Sequence, residues 1–193
     1  QTRGWFYSLH VLAANLFKKP AYKHVVVNGI ILAEDGQKMS KRLKNYPDPI
    51  EVLARYGADA LRLYMLSSPV VYAEDFNFSE KGVDEVYKKV ILRLLNVVSF
   101  YEQYTVLGEH TEVRFDDSLH TLDKFILVEL VRTKETIEKA LDEYQLGRAS
   151  RALADFIDML STLYLQYSRD RFKEDHPRHA EARGVLKHVL TEI

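Results

Sequence analysis

The chain has 193 residues, 47% of them hydrophobic, which is enough for a substantial core and excludes intrinsic disorder. No apolar run reaches the roughly 18 residues of a membrane-spanning helix. Cysteine is absent, which excludes disulfides, a thiol nucleophile and cysteine-bound zinc within these residues. The net charge of −1 divides into +5 over residues 1–72 (10 Lys/Arg, 5 Asp/Glu) and −6 over residues 73–193 (17 against 23). This asymmetry predicts two units with different roles.

The first unit is predicted to be α/β. Apolar side chains at helical spacing predict a helix over residues 4–17, and Trp5, Leu9, Leu12 and Leu16 form its expected buried stripe. Residues 24–33 are β-branched and almost continuously apolar, which predicts a strand buried on both faces. Gly29 within this run indicates a bulge or the close approach of another group. Asp35-Gly36 then predicts a turn, which is a candidate hinge.

The rest of the chain is predicted to be helical. Asp48 and Pro49 suit the N-cap and first position of a helix that Gly57 ends, with Ile50, Leu53 and Ala54 facing inward. From Ser79 onward, apolar spacing predicts four long helices, interrupted by a polar link over 108–118. Short connections favour an antiparallel bundle. The fold class is therefore mainly α with an α/β part.

The segment most informative about function is basic and follows the predicted turn. Residues 38–44 contain four cations, and lysine ammonium groups bind phosphate as mobile point charges. A basic loop at the carboxyl edge of an α/β sheet is a typical place for a nucleotide. A solvated basic turn is the alternative, and composition alone favours it.

The residues in this segment resemble a known signature. Lys38-Met39-Ser40-Lys41-Arg42 is similar to the Lys-Met-Ser-Lys-Ser motif of class I aminoacyl-tRNA synthetases, and residues 45–49 and 56–62 agree with its context. Residues 1–6 resemble the isoleucine-specific members, and residues 160–172 resemble a helix of the anticodon-binding domain. Arg42 departs from the usual final Ser, which leaves a capping role of that position open.

The resemblance implies an organisation and a reaction. Residues 1–72 would be the C-terminal portion of a Rossmann-type catalytic domain, and residues 73–193 an incomplete helical anticodon-binding domain. The implied reaction joins isoleucine to ATP, supplied with Mg²⁺, and passes the amino acid from the adenylate to tRNA(Ile). No bound cofactor, zinc or other metal, and no membrane, is expected; a cytoplasmic monomer is expected. The sequence begins without Met and lacks the family's His-x-Gly-His motif, so we expect an internal piece that is inactive alone.

The resemblance also assigns candidate residues. Lys38 and Lys41 would stabilise charge on the phosphates, with Lys41 the more important, and Met39 would anchor the loop. The implied ATP-binding set is Gly29, Ile30, Ile31, Leu32, Lys38, Met39, Ser40 and Lys41. Gln1 and Trp5 would line the isoleucine or adenylate pocket, although Trp5 also fits ordinary core packing. Candidate tRNA contacts are Arg148, Arg151, Arg169, Arg171 and Lys173. The rings of Tyr164 and Tyr167 would stack on tRNA bases.

Three alternatives remain at this point. A valine- or leucine-specific member of the same class differs mainly in residues 1–6. A noncatalytic tRNA-binding module derived from a synthetase would need no intact Lys38 and Lys41. A purely structural helical protein explains the helices but not residues 24–62.

Overall fold

The computed structural model describes residues 3–105 and 118–193, and most of them are helical. The first half contains two long helices and two short strands. In chain order these are helix α1 (Trp5–Phe17), strand β1 (Ile31–Leu32), helix α2 (Pro49–Leu66), a 3₁₀ turn (Pro69–Tyr72) and strand β2 (Phe76–Asn77). Strand β2 was not predicted, because two residues give no readable period.

Four long helical runs follow, as the apolar spacing predicts. Helix α3 (Glu80–Val86) passes through a π turn (Tyr87–Ile91) into α4 (Leu92–Gln103), and α5 spans Thr121–Asp142. Helix α6 (Leu146–Met159) continues through a π turn (Leu160–Leu165), α7 (Gln166–Ser168) and a 3₁₀ turn (Arg169–Phe172), and α8 is His179–Glu192. The polar link predicted over 108–118 lies outside the described residues except at its end.

The main core lies among the last helices. Helix α5 packs along α6, and α8 contacts both α4 and α5. Apolar side chains at helical spacing meet there fully buried, for example Ile126, Phe156, Leu160 and Leu186. A smaller cluster joins α2 to α3 through Val52, Ala60 and Val83.

The buried stripe predicted for α1 is wrong. Trp5 and Leu16 are each 70% exposed, and no residue of α1 is buried. The contacts of the helix come from the segment that follows it, where the ring of Tyr22 packs edge-on against Phe6 at 5.7 Å between centroids. A helical stripe is buried only where another element covers it, and the described residues supply only this partial cover.

The ten-residue buried strand is also wrong. Only Ile31–Leu32 is regular, and it pairs in parallel with Phe76–Asn77. Val26 is 56% exposed, because a strand buried on both faces needs layers above and below it, which the described residues do not provide. Gly29 does mark a close approach: a Cβ there would overlap the backbone carbonyl of Glu74.

The start of α2 is confirmed, whereas its predicted end and inner face are not. The Asp48 carboxylate accepts a hydrogen bond from the backbone N–H of Ile50 at 2.8 Å, as an N-cap should. Gly57 bends the helix instead of ending it, with φ 80°. Ile50 is 71% exposed, and the inward positions are Val52 and Ala60.

Candidate functional site

The basic segment begins beside β1 because a tight turn reverses the chain. The N–H of Ala33 donates to the carbonyl of Gln37 at 2.8 Å, and the N–H of Gln37 donates to Asp35 Oδ1 at 3.0 Å. Gly36 occupies the left-handed region at φ 78°, where glycine is favoured. The turn predicted at Asp35-Gly36 is thus confirmed, and it brings Lys38 back opposite Leu32.

Lys38 and Lys41 both lie outside any helix, and both are exposed. The segment from Ser40 to Lys44 forms a single turn, closed by the Lys44 N–H donating to the Ser40 carbonyl at 3.0 Å. Lys44 itself adopts φ 49°, a left-handed conformation that is strained for a side chain of this kind. Lys38 therefore lies just before this turn and Lys41 within it, and their binding of phosphate stays a prediction.

Asn45 is part of the loop that sequence reasoning missed. Its side-chain Oδ1 accepts from the N–H of Ser40 at 2.9 Å, and its Nδ2 donates to the carbonyl of Lys38 at 3.2 Å. Asn side chains near turns often form hydrogen bonds with the backbone, so the position of Asn45 in the sequence could have predicted this contact.

Met39 packs inward between the two lysines. It is half-buried and lines an apolar cavity of about 260 Å³ together with Ile31, Tyr46 and Phe78. Met39 also lines a second cavity of about 300 Å³, which Glu34 lines as well. Met39 thus packs against apolar neighbours, and its role as an anchor of the loop stays a prediction.

The backbone of Gly29–Leu32 is already used in part by the chain itself. The N–H of Gly29 donates to the Val70 carbonyl at 2.8 Å, and the carbonyls of Ile30 and Leu32 each accept from residues of the β2 segment at 2.9 Å. The backbone of Glu74 fills the space beside Gly29. Glycine is therefore required here by this neighbouring backbone and not by a bound adenine ring. Adenine binding by these main-chain groups stays a prediction.

Of the two residues predicted to line the amino-acid pocket, only Trp5 is among the described residues. Trp5 lies on α1 with its indole 70% exposed, and Gln1 lies outside the described residues. Ordinary core packing, the alternative for Trp5, does not occur in this part of the chain.

Among the predicted tRNA contacts, four cations are exposed and one is buried. Arg148 and Arg151 lie in the first half of α6, whereas Arg169 and Lys173 lie at the far end of the same helical run. At 1.5 Å per residue, the 18 positions from Arg151 to Arg169 correspond to roughly 27 Å along the axis. The two groups are therefore separate, and Lys173 is ion-paired with Asp170 at 2.7 Å. The tRNA-binding prediction for these four residues stays open.

The predicted tRNA contact at Arg171 is wrong. Arg171 is 5% exposed, and its guanidinium donates two hydrogen bonds to the Asp123 carboxylate, at 2.6 and 2.7 Å. Tyr164 is fully buried and donates to the same carboxylate at 2.8 Å, so it cannot stack on a base. Tyr167 is 71% exposed, and its predicted stacking role stays open.

Burial by itself would raise the pKa of the Asp123 carboxyl. The hydrogen bonds from Arg171 and Tyr164 outweigh this effect and hold the pKa below its usual value. Burial, followed by the charge of Asp123, raises the pKa of the Tyr164 hydroxyl well above its usual value. The cluster is a buried ion pair that joins α5 to the end of the α6 run.

Residues 3–105 and 118–193 contain neither a metal-binding cluster nor a membrane-spanning helix. No group of three or more His, Asp or Glu side chains is placed to hold a metal ion. In the same part of the chain, no helix is both long and apolar enough to cross a membrane.

Two protein-family models match the chain. The model for tRNA synthetases class I (I, L, M and V) matches residues 1–79, and the model for the anticodon-binding domain of tRNA ligase matches residues 123–193. The basic loop lies in the first match and the Asp123–Arg171 ion pair in the second.

Curated relatives align along the whole chain. It is 44% identical to the isoleucine–tRNA ligase of Protochlamydia amoebophila, 46% to that of Chlamydia abortus and 48% to that of Chlamydia muridarum. These alignments cover 98–100% of this chain but 19% of each relative. The chain therefore spans about a fifth of the length of the curated relatives it matches.

A solved structure shares the fold. The ternary LeuRS–tRNA–LeuAMS complex from Agrobacterium radiobacter superposes with a TM-score of 0.66 over 97% of this chain and 23% of the other, at 19% sequence identity. At this identity the likeness concerns the fold alone.

Proposed function

Because the chain belongs to the class I tRNA synthetases, we propose that it is the part of an isoleucine–tRNA ligase that carries the basic catalytic loop and the start of the tRNA-binding helices. The proposed reaction joins isoleucine to ATP, giving the adenylate and pyrophosphate, and then transfers the amino acid to tRNA(Ile). The observation that carries the catalytic assignment is that Lys38 and Lys41 are both exposed on one short non-helical segment beside β1.

The chemistry needs positive charge at one place. The isoleucine carboxylate attacks the α-phosphorus of ATP, the bond to the bridging oxygen breaks, and negative charge builds on the departing pyrophosphate. Such steps are accelerated mainly by positioning and electrostatics. Lys38 and Lys41 supply two mobile cations for this charge, and Met39, seated in the apolar cavity, ties the turn to the fold. Mg²⁺ enters with ATP as part of the substrate.

The proposed domains follow the charge division. Residues 1–72 would be the C-terminal part of a Rossmann-type domain, in which β1 and β2 are edge remnants of a larger parallel sheet. Residues 73–193 would belong to an antiparallel helical bundle that docks tRNA. The exposed face of α1 supports this division, since an apolar stripe of this size would be covered by further sheet or helix in a whole synthetase. We propose a cytoplasmic monomer.

The tRNA surface would use the exposed cations only. Arg169 and Lys173 lie on one end of the α6 run, and Arg148 and Arg151 on the other. Contacts of this kind bind phosphate without reading sequence and weaken with salt. The net charge of −6 over residues 73–193 argues that most other charged side chains there face solvent.

Substitution of Lys41 tests the proposal. In the whole synthetase, we expect Lys41→Ala to lower isoleucine-dependent ATP–pyrophosphate exchange about 10²- to 10³-fold, because one preorganised contact to developing charge is worth roughly 3–4 kcal/mol. Lys187→Ala, an exposed lysine of α8, is the matched control and should leave exchange unchanged. Unchanged exchange in Lys41→Ala would falsify the catalytic assignment.

A further inference from the structure

The side-chain amide of Asn45 holds both ends of the segment from Lys38 to Ser40. It accepts from the Ser40 N–H at 2.9 Å and donates to the Lys38 carbonyl at 3.2 Å. A backbone N–H can only donate and a carbonyl can only accept, so these partners fix which end of the amide is oxygen and which is nitrogen. The Asn45 side chain thus makes one accepted and one donated hydrogen bond with the loop backbone, as the backbone of a neighbouring strand would.

Two other restraints act on this stretch, one on each side of Met39. The bridge between Leu32 and Lys38 ends the pairing with β1, and the hydrogen bond from Lys44 to Ser40 closes the turn beyond it. Asn45 connects the bridge to the turn, because it bonds to Lys38 in the bridge and to Ser40 at the start of the turn. The direction in which the stems of Lys38 and Lys41 leave the backbone therefore depends on this amide.

We propose that Asn45 is a positioning residue for Lys38 and Lys41. It touches no substrate, and it acts by fixing the backbone of the turn from which both ammonium groups extend. The inference rests on the proposed function, since it assigns Asn45 to the adenylation step of that reaction. A misplacement of about 1 Å in a catalytic group can cost on the order of 10²-fold in rate.

The test measures ATP–pyrophosphate exchange by the whole synthetase with Asn45→Asp and Asn45→Ala. Aspartate has the same size and keeps the acceptor for Ser40, but it places an oxygen against the Lys38 carbonyl where the donor stood. We expect both variants to lower kcat about 10- to 100-fold, with KM for isoleucine within about twofold of the unaltered enzyme. Asn96→Ala, on the exposed side of α4, is the control and should change neither constant.

The outcomes separate positioning from packing and from failure of the proposed function. Normal kcat in Asn45→Asp would overturn the inference, because a role in filling space survives that change, and this holds even if Asn45→Ala does not fold. Loss of exchange in Lys41→Ala with none in Asn45→Asp would overturn the inference alone. Absence of isoleucine-dependent exchange in the unaltered enzyme would overturn the proposed function and this inference with it.

Discussion

The carboxylate of Asp123 joins two helical runs by accepting hydrogen bonds from Tyr164 and Arg171 in the interior. Its side chain is fully buried and that of Arg171 is 7% exposed, so the pair is shielded from water. Removing one partner of a buried pair leaves the other charge uncompensated, which is costlier than the net contribution of the pair. The cluster is therefore sensitive to single substitutions.

We expect Asp123→Asn to lower the free energy of unfolding by about 3–5 kcal/mol, because Arg171 loses its charged partner while Tyr164 keeps an acceptor. Glu181, 3.8 Å from Arg171, offsets part of this loss and places the result toward the lower end. Urea unfolding measures the difference. The control is Glu192→Gln, which breaks the partly exposed ion pair with Lys134 and should cost less than about 1 kcal/mol.

The same carboxylate makes stability depend on acid. Because its pKa is lower in the folded chain than in the unfolded chain, its contribution is fully present above the unfolded value of about 3.9 and disappears as pH falls through the folded value. Asp123→Asn should flatten this part of the stability profile. An equally steep acid loss in the variant would show that other carboxyl groups cause it.

At the scale of elements, the start of α5 depends on the protonation of one imidazole. His120 is the N-cap, and its Nδ1 accepts from the backbone N–H of Leu122 at 3.2 Å. Burial, followed by the charge of Arg171, lowers the pKa of His120. A lowered pKa keeps Nδ1 unprotonated and able to accept near neutral pH, so the cap is intact there.

This cap predicts a pH dependence near neutrality. The unfolded chain binds a proton at His120 below pH 6.5 more readily than the folded chain does, so stability falls as pH drops from the unfolded pKa toward the lower folded one. His120→Asn supplies a cap that does not titrate. Between pH 7.5 and 5.5 we expect the unaltered chain to lose up to about 1 kcal/mol more than the variant does, measured by urea unfolding.

The comparison needs a histidine that caps no helix. His10 lies exposed within α1, and His10→Asn should leave the loss of stability between the two pH values unchanged. An equal loss in the unaltered chain and in His120→Asn would contradict the role of the cap.

At the scale of the whole molecule, few elements of the described chain surround Lys38 and Lys41, the two lysines proposed to be catalytic. Among the described residues, strand β1 pairs with β2 and makes one bridge to Lys38, and α1 has no buried side chain. We expect the isolated 193-residue chain to show no isoleucine-dependent ATP–pyrophosphate exchange, because two cations without the rest of the nucleotide and amino-acid site cannot hold the reactants in line. Exchange by the whole synthetase in the same assay is the control. Robust turnover by the isolated chain would contradict the expectation.

The sequence was most informative where local chemistry decides the structure. The N-cap at Asp48, the turn at Asp35-Gly36 and the long helices depend on residues close together in the chain, and all are observed. The predicted strand over 24–33 failed because burial on both faces requires neighbours from elsewhere in the fold. Periodicity recognised an apolar segment but did not say what covers it.

The candidate site divides in the same way. Lys38 and Lys41 were identified from a short motif, and both are exposed outside any helix, while their catalytic role stays a prediction. Arg171 was mistaken for a surface cation, because its partner Asp123 lies 48 positions away and no spacing rule connects them. Asn45 was overlooked, because an amide that ties down a loop has no repeating pattern around it.

The exposed position of Trp5 also gives the chain an internal optical reporter. It is the one tryptophan in the sequence, and 70% of it is open to solvent, on a helix that contributes no residue to the buried core of α4 to α8. Indole emission therefore follows the surroundings of α1 alone. Covering that helix would shift the emission to shorter wavelength, whereas melting of helices α4 to α8 would leave the spectrum nearly as it was.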